Sequence, residues 1–539
     1  MTAVLKTTSL GEIRGNAENG VVQYLGIKYA TLRNRLADAE LVEWRDDGDV
    51  LDATKDGPAA PSITFGCDLE QGAIQHTLPK KDIPQSDLDC LNLNIAVPEG
   101  TTSTSKLPVF LFIHGGGFVL GANSWPQFDY ARLVRLSQEK GYPIVAVSIN
   151  YRLGVFGFLT SEELRKAGYK ANNGFRDQLI AIQWVQKHIQ DFGGDPENIT
   201  LAGMSAGGAS VVQHIHSEQP LFKRAIAMSG TNLLMIPLPL SVHEQGYQDA
   251  MKAWGLADAT PEERINALLE TPAHDLITKL PPTVPIGFAV DGDLIPSMPT
   301  FAEIGDKGKS YPKGKTWCKE LLIGDAQIDM SVFAYLNPQL KNNAARRFTE
   351  ALNKALPDHP AEARELLQKY GISESSSDHE AFTGALNFLN DIAFFAPVLT
   401  YAKGWTGNAY VYYFNEENPW DGPWKGRSSH ILDLAYLFQN YNEYLTPDQQ
   451  AVATAMAEDF FKFCHGVAPW SPVQVQEGGD IESGFTARVY GPSREKRVIS
   501  VVSQPYGGET QRRRILFDYA DKVPLDSLAK VFAFFKSSA

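Results

Sequence analysis

The sequence predicts an α/β fold with a large, mostly parallel central sheet, helices on both faces and a small antiparallel N-terminal edge. Three observations predict this fold. Continuous apolar runs resemble strands buried on both faces, helical patterns lie between them, and the first hundred residues contain short strands with turn signals. Strands that alternate with helices form a mainly parallel sheet, because each helix carries the chain back to the edge where the previous strand began.

The predicted strands of the parallel region are short, apolar and bounded by glycine, proline or polar residues. They span residues 107–113, 143–149, 199–204, 224–229, 321–323 and 410–414. Between the second and third strands, apolar residues recur at steps of three and four from Phe175 to Phe192, which predicts a helix that ends at Gly193. Since neither a repeat nor a flexible linker interrupts the chain, residues 1–539 are expected to form one domain.

Composition and charge exclude several classes of protein. The chain has 539 residues, and 49 Lys and Arg against 63 Asp and Glu give a net charge of −14. Nucleic-acid binding is not expected, because it needs a cationic surface. The sequence contains no signal-peptide pattern and no apolar run of ~18 residues, so we expect a cytoplasmic protein without a membrane span. The four cysteines form no CxxC motif, and no metal or cofactor is expected.

A candidate nucleophile follows the third predicted strand. The pentapeptide Gly203-Met204-Ser205-Ala206-Gly207 lies between that strand and a helical pattern. A serine in this G-x-S-x-G context is typical of a strained turn that exposes a nucleophilic hydroxyl. The two glycines are expected because a Cβ there would collide with the neighbouring strand and helix. The pentapeptide alone is weak evidence, since a chain of this length contains one by chance about once in five.

A serine nucleophile also needs a base and donors for the oxyanion. Residues 114–118, with the sequence HGGGF, follow the first core strand and match a pattern whose backbone N–H groups point into one small cavity. Chain order predicts an acid and a histidine after the serine. His430, on a loop after the run 410–414, is the best candidate for the base among the eleven histidines. His214 and His216 are two residues apart and do not share a helix face, which argues against a metal pair.

Seven segments along the chain share their pattern with a known family. They are residues 20–30, 86–94, 150–159, 173–178, 192–196, 203–207 and 290–292. Through them the chain resembles the type-B carboxylesterases, the cholinesterase-like branch of the α/β-hydrolases, over nearly its whole length. The resemblance implies the α/β-hydrolase fold and a serine enzyme that hydrolyses carboxylic esters. Two features are typical of fungal members. The sequence has no signal-peptide pattern, and it carries an aspartate where most members of the family carry the glutamate of the catalytic triad.

The same resemblance implies the residues of a catalytic triad. Ser205 is the nucleophile, His430 is the base, and Asp329 occupies the position of the acid, where most members carry glutamate. Aspartate is one methylene shorter, so its backbone must come closer to His430, but a triad tolerates either carboxylate. Asp325, four residues earlier, is the rival for this role.

The resemblance also implies an oxyanion hole and two departures from the family pattern. The oxyanion donors are the N–H groups of Gly116, Gly117 and Ala206. Met204 replaces the glutamate that usually precedes the nucleophile, which removes one buried negative charge and predicts a weaker preference for cationic substrates. A further pair of residues, Cys67 and Cys90, matches the first disulfide loop of the family, but in an intracellular protein both are expected to be reduced.

The expected partner is a small-molecule ester, uncharged and apolar. Four aromatic residues lie close in sequence to the candidate loops and fit either an aromatic gorge or an ordinary core: Phe118, Trp125, Trp420 and Trp424. The same triad could transfer the acyl group to another acceptor or cleave a thioester or lactone. The chain could instead be a catalytically silent interaction protein, although that class typically lacks the serine or the histidine. The natural substrate and the oligomeric state are not specified by the sequence.

Overall fold

A computed structural model describes residues 2–43, 50–309, 311–476, 478–505 and 512–538 of the chain. Within these ranges the strands are as follows: β1 Thr2–Lys6, β2 Glu12–Glu18, β3 Val21–Lys28, β4 Ala30–Thr31, β5 Glu40–Leu41, β6 Leu51–Asp52, β7 Asn92–Pro98, β8 Leu107–Ile113, β9 Val145–Ile149, β10 Gly194–Met204, β11 Arg224–Met228, β12 Leu238–Pro239, β13 Ala289–Val290, β14 Glu320–Ala326, β15 Asn408–Phe414, β16 Ala487–Tyr490 and β17 Ile499–Val502.

The helices of the same ranges cover both faces of the main sheet and fill the long segments between its later strands. They are α1 Gly66–Ile74, α2 Ala131–Glu139, α3 Gly154–Phe158, α4 Glu162–Lys166, α5 Asn173–His188, α6 Ala206–His214, α7 Leu240–Ala253, α8 Pro261–Glu270, α9 Ala273–Thr278, α10 Phe301–Ile304, α11 Ser331–Leu336, α12 Ala344–Ala355, α13 Pro360–Lys369, α14 Asp378–Asn390, α15 Ala396–Gly404, α16 Leu432–Leu437, α17 Pro447–Cys464, α18 Arg514–Asp518 and α19 Leu525–Lys536.

The main sheet has thirteen strands among the described residues. Its order is β1-β2-β3-β7-β9-β8-β10-β11-β14-β15-β16-β17, with β6 paired to β2. From β9 to β16 all neighbours are parallel, whereas the N-terminal strands and β7 pair antiparallel. The predicted parallel core with an antiparallel N-terminal edge is therefore confirmed. At the C-terminal side of the sheet, β17 pairs antiparallel with β16, and this pairing was not predicted.

The core elements form where the apolar pattern places them. Strand β8 covers the predicted run 107–113 without a change of bounds, and all six residues after its first are buried because helices cover both faces of this part of the sheet. Helix α5 ends at His188 and continues as a 3-10 turn to Phe192. Gly193 then adopts φ 82°, a left-handed conformation that suits glycine, and ends the turn as predicted.

The register of the central strands brings the candidate loops to one edge. Gly203 of β10 lies opposite Ile113 of β8, and the next residue, Met204, lies opposite Met228 of β11. Met228 in turn lies opposite Gly324 of β14, which pairs with β15 in parallel. Since parallel strands end at the same edge, the chain leaves β8, β10, β14 and β15 in one region, where ligands bind in open α/β sheets.

One helical stretch of the described residues, Asp378–Gly404, is long and apolar enough to cross a membrane by those two criteria alone. It comprises α14, a π-helical turn at Asp391–Phe395 and α15. The protein itself buries 89% of the apolar window in this stretch. Its apolar character therefore has a sufficient explanation in the packing of the core.

Candidate active site

Ser205 lies on a strained turn between β10 and α6. Its backbone has φ 56° and ψ −121°, a combination that residues other than glycine rarely adopt. Its N–H group donates to the carbonyl of Met228 on the neighbouring strand at 2.9 Å, which fixes the turn against the sheet. Ser205 is half-buried, whereas its neighbours Met204 and Ala206 are buried. The turn therefore presents the serine side chain toward solvent at the loop-bearing edge of the sheet.

The glycines on either side of Ser205 are required by close packing, as predicted. A Cβ on Gly203 would lie 2.4 Å from the backbone of Gly207 in α6. A Cβ on Gly207 would lie 2.0 Å from the carbonyl oxygen of Ile113 at the end of β8. Both distances are far below van der Waals contact, so any side chain here would push the helix away from the sheet and distort the turn.

The glycine-rich loop after β8 leaves backbone donors beside the serine. Gly116 has φ 95° and Gly117 has φ 61°, and a Cβ on Gly116 would lie 2.1 Å from the Leu120 carbonyl oxygen. The N–H groups of Gly116, Gly117 and Ala206 donate to no protein acceptor in the described part of the chain. Ala206 is the first residue of α6, so its N–H group also lies at the positive end of the helix dipole. Three unpaired donors of this kind suit an anionic oxygen.

His430 and Asp329 form a short, buried hydrogen-bonded pair. His430 Nδ1 lies 2.7 Å from Asp329 Oδ1, and both side chains are at most 1% exposed. The other oxygen of Asp329 accepts from the N–H group of Ala326 at 2.8 Å, and the N–H group of His430 donates to Ser331 Oγ at 2.9 Å. Because an ionised carboxylate only accepts, Nδ1 donates and Nε2 of the neutral ring is an acceptor. Ser205 Oγ makes no hydrogen bond within the described residues.

Asp325, the rival candidate for the acid, has a different partner. Its carboxylate forms an ion pair with Arg513 at 2.8 Å, and both side chains are buried. Burial raises the pKa of Asp325 to about 7, although the charge of Arg513 acts to lower it. Asp329 alone bonds to the imidazole, so the geometry favours the residue that the family resemblance selected over its rival.

The charge of His430 acts to lower the pKa of two further buried carboxyl groups, and sequence reasoning did not identify either. Asp433 accepts from the Tyr412 hydroxyl at 2.9 Å, and burial raises its pKa to about 6. Glu70 on α1 accepts from Gln127 Nε2 at 3.0 Å, and burial raises its pKa to about 7, while the charge of His430 acts to lower it. The replacement of the expected glutamate by Met204 therefore does not leave the imidazole without neighbouring acids.

Four aromatic side chains and His214 also lie close in sequence to the candidate motifs, and most of these side chains pack against other residues of the protein. Phe118 is fully buried and packs on Phe158 and Phe288 at ring distances of 4.7 and 4.8 Å, as a core ring does. Three tryptophans are half-buried: Trp125, Trp420 and Trp424. His214 bonds to Gln178 and stacks on Phe175, which is the role of a core histidine. Among the described residues no group of His, Cys, Asp or Glu has the arrangement of a metal site.

Cys67 and Cys90 are free and buried, and so are Cys318 and Cys464. No disulfide joins Cys67 to Cys90 in the structure, and that both are reduced stays a prediction.

Comparison with known proteins decides the family. The sequence model of the carboxylesterase family matches residues 2–475. The chain belongs to the carboxylesterase family. Lipase 3 of Yarrowia lipolytica is 29% identical over 87% of this chain and 90% of its own length, and the para-nitrobenzyl esterase of Bacillus subtilis is 28% identical over 82% and 84%. A solved para-nitrobenzyl esterase structure superposes with a TM-score of 0.74 at 23% identity and covers 96% of this chain and all of its own.

This carboxylesterase therefore has the α/β-hydrolase fold, as predicted, and acts on carboxylic esters. Its relatives and its family support the hydrolase class.

Proposed function

We propose that the carboxylesterase hydrolyses small neutral esters through a Ser205–His430–Asp329 triad and an acyl-enzyme. The observation that carries the proposal is the buried 2.7 Å bond between His430 Nδ1 and Asp329, on loops that leave the same sheet edge as Ser205. A buried carboxylate at this position selects the imidazole tautomer whose Nε2 accepts a proton. It also stabilises the imidazolium that forms once the proton has moved.

In the first half of the reaction, His430 Nε2 takes the proton of Ser205 as Oγ attacks the ester carbonyl carbon. The carbonyl oxygen becomes an oxyanion and accepts hydrogen bonds from the N–H groups of Gly116, Gly117 and Ala206. Each lost donor in such a hole typically lowers kcat by about 10²–10³-fold. The intermediate then collapses, its carbon–oxygen bond to the alcohol breaks, and His430 gives its proton to the leaving alkoxide.

In the second half, water replaces the alcohol. His430 takes a proton from the water as the water oxygen attacks the acyl carbon, and the same three N–H groups bind the second oxyanion. The bond between the acyl group and Ser205 Oγ then breaks, Oγ regains the proton from His430, and the carboxylic acid leaves. An added alcohol or amine could replace water in this step, which would make the product a new ester or amide.

The proposed substrate is uncharged near its alcohol group. Met204 is buried, 2% exposed, directly before the nucleophile, and its apolar side chain lies where a carboxylate would attract an ammonium group. Gly117 is exposed, and Gly116 and Ser205 are half-buried, so a small molecule can reach this part of the site. The yeast origin of Lipase 3 and the aspartate at 329 agree with a fungal source, which stays a proposal.

The test compares the wild-type enzyme with Ser205→Ala on 4-nitrophenyl esters of increasing acyl length. The expected loss in kcat is about 10⁶-fold, because the members of a triad act as a unit. Ser210→Ala is the matched control, since Ser210 lies in the same helix and bonds only to the Ala206 carbonyl among the described residues. It should retain nearly full activity. A loss of tenfold or less in Ser205→Ala would refute the assignment.

A fluorophosphonate probe tests the same serine by a covalent reaction. Its phosphorus should bond to Ser205 Oγ with loss of fluoride, and peptide mapping should identify that residue alone. An unlabelled wild-type protein that also fails to cleave any ester would instead support an interaction protein. Product analysis with an added alcohol separates hydrolysis from acyl transfer, and thioester and lactone substrates test the remaining alternatives.

A further inference from the structure

A buried arginine near the C-terminus contacts the loop that carries Asp329. Arg513 is 2% exposed, and its Nη2 donates to the carbonyl oxygens of Ala326 and Gln327 at 3.1 Å each. Its Nη1 forms the 2.8 Å ion pair with Asp325. The guanidinium group also stacks on the ring of Phe395 at 4.6 Å, so its plane is fixed from one side. Arg513 thus binds three successive residues at the end of β14.

One of these contacts is linked to the candidate acid by hydrogen bonds through a single residue, Ala326. The carbonyl of Ala326 accepts from Arg513, and the N–H group of the same residue donates to Asp329 Oδ2 at 2.8 Å. Asp329 Oδ1 then bonds to His430. A continuous series of hydrogen bonds therefore joins the guanidinium group of Arg513 to the imidazole through Ala326 and Asp329.

The π-helical turn at Asp391–Phe395 supports the same loop from the other side. Asn390, just before the turn, accepts from the N–H group of Met330 at 3.1 Å and donates to the Gln327 carbonyl at 3.4 Å. Phe394 packs edge-on against the His430 ring at 5.5 Å. The loop that carries the acid is thus enclosed between this turn and Arg513, and neither contact is local in sequence.

Arg513 lies beyond residue 475, where the match to the family's sequence model ends. We propose that Arg513 is a positioning residue: it fixes residues 325–329, the end of β14 and the loop that follows, so that Asp329 stays within hydrogen-bond distance of His430. This inference rests on the proposed function for its catalytic consequence. The planar fork of the guanidinium group is essential to this positioning role, because two carbonyl oxygens and one carboxylate must be bound at once in a fixed geometry.

The test is Arg513→Lys, which keeps the charge for Asp325 but cannot reproduce the planar fork. We expect kcat for a 4-nitrophenyl ester to fall about 10–100-fold with little change in KM, since small displacements of catalytic groups have effects of this size. The acid limb of kcat/KM should move down by about one pH unit, because a displaced carboxylate stabilises the imidazolium less well. A purely structural role would lower the melting temperature without moving this limb.

Arg512→Lys is the matched control. Arg512 belongs to the same cluster and bonds to Asp391 at 2.7 Å and to Asn387 at 2.8 Å, and none of its hydrogen bonds within the described residues reaches residues 325–329. Its loss should lower stability and leave kcat and the acid limb unchanged. Equal effects of the two variants on kcat would overturn the proposal, and so would an unchanged Arg513→Lys.

A second readout does not depend on ester turnover. The short Nδ1–H bond between His430 and Asp329 should give a far-downfield proton resonance in the wild type and in Arg512→Lys, and this signal should be lost or shifted upfield in Arg513→Lys. Arg513→Gln introduces no unpaired cation and should show the same loss of the resonance. It replaces the lysine variant if that variant does not fold. An inactive wild type with the resonance lost only in Arg513 variants would refute the proposed function alone. A resonance that persists in the Arg513 variants would refute the positioning role.

Discussion

Glu70 combines deep burial with few bonding partners, and the stability of the protein should depend on its protonation. The side chain is 6% exposed, and within the described residues it accepts a hydrogen bond from Gln127. Burial raises the pKa of this carboxyl group from an ordinary value of 4.5 to about 7, against the lowering effects of the Gln127 bond and the charge of His430. Cys67, Tyr151 and Tyr441 also interact with its charge. The folded protein therefore retains a proton here that the unfolded chain releases.

The sign of the effect follows from proton binding. Between pH 4.5 and 7 the unfolded chain binds fewer protons at this group than the folded protein does, so the free energy of unfolding falls as the pH rises. At about 1.4 kcal/mol per unit of pKa difference, the full loss above pH 7 is about 3 kcal/mol. Glu70→Gln keeps the size of the side chain and an oxygen for Gln127, and it removes the titration. The variant should therefore be more stable than the wild type at pH 8 by up to about 3 kcal/mol and nearly equal to it at pH 4.5.

Urea unfolding at both pH values measures this difference. Glu374→Gln, at an exposed position in a loop, is the matched control and should show no comparable change between the two pH values. A difference between Glu70→Gln and the wild type that is the same at pH 4.5 and pH 8 would contradict this prediction, and so would a variant that is less stable than the wild type at pH 8. Either result would mean that Glu70 is ionised in the folded protein at no cost.

Two more substitutions test the site. Asp329→Asn should lower kcat about 10⁴-fold, because the amide can donate to Nδ1 and so favour the wrong tautomer of His430; ester turnover is the assay, and a loss below tenfold would contradict the acid role. The wild type should cleave butyrylcholine and the isosteric neutral 3,3-dimethylbutyl ester at equal kcat/KM, whereas Met204→Glu should favour choline about tenfold, since a buried charge attracts an ammonium group. A strong choline preference in the wild type would show that Met204 does not set this selectivity.

The central elements were predictable because their signals are local. Strand β8 is apolar throughout because both of its faces are buried. Helix α5 has apolar residues at steps of three and four because one of its faces is buried. Strand β17 was missed for the opposite reason: it is four residues long, and Ile499 and Val501 are 41% and 56% exposed, so its composition does not distinguish it from a loop. That residues 1–539 form one domain, and that the protein is cytoplasmic, stay predictions.

The residues of the candidate site also differ in whether the sequence predicts them. Ser205 and the glycines of residues 115–117 were identified from short motifs, since a turn or a donor loop is built from neighbouring residues. His430 required chain order and family resemblance together. Ser331 and Arg513 carried no signal, because each acts through hydrogen bonds or an ion pair to a distant segment, and no periodicity or spacing specifies such contacts.

The buried cysteines provide a reporter of local opening that needs no engineering. Each of the four thiols has its pKa raised by burial to about 12, so almost no reactive thiolate is present in the closed protein at neutral pH. Alkylation by iodoacetamide will then follow the fraction of molecules in which a given segment has come apart. Cys67 lies in α1 and Cys464 at the end of α17, whereas Cys90 and Cys318 precede β7 and β14. The order in which the four cysteines are alkylated would rank the outer helices and the sheet by their frequency of local opening.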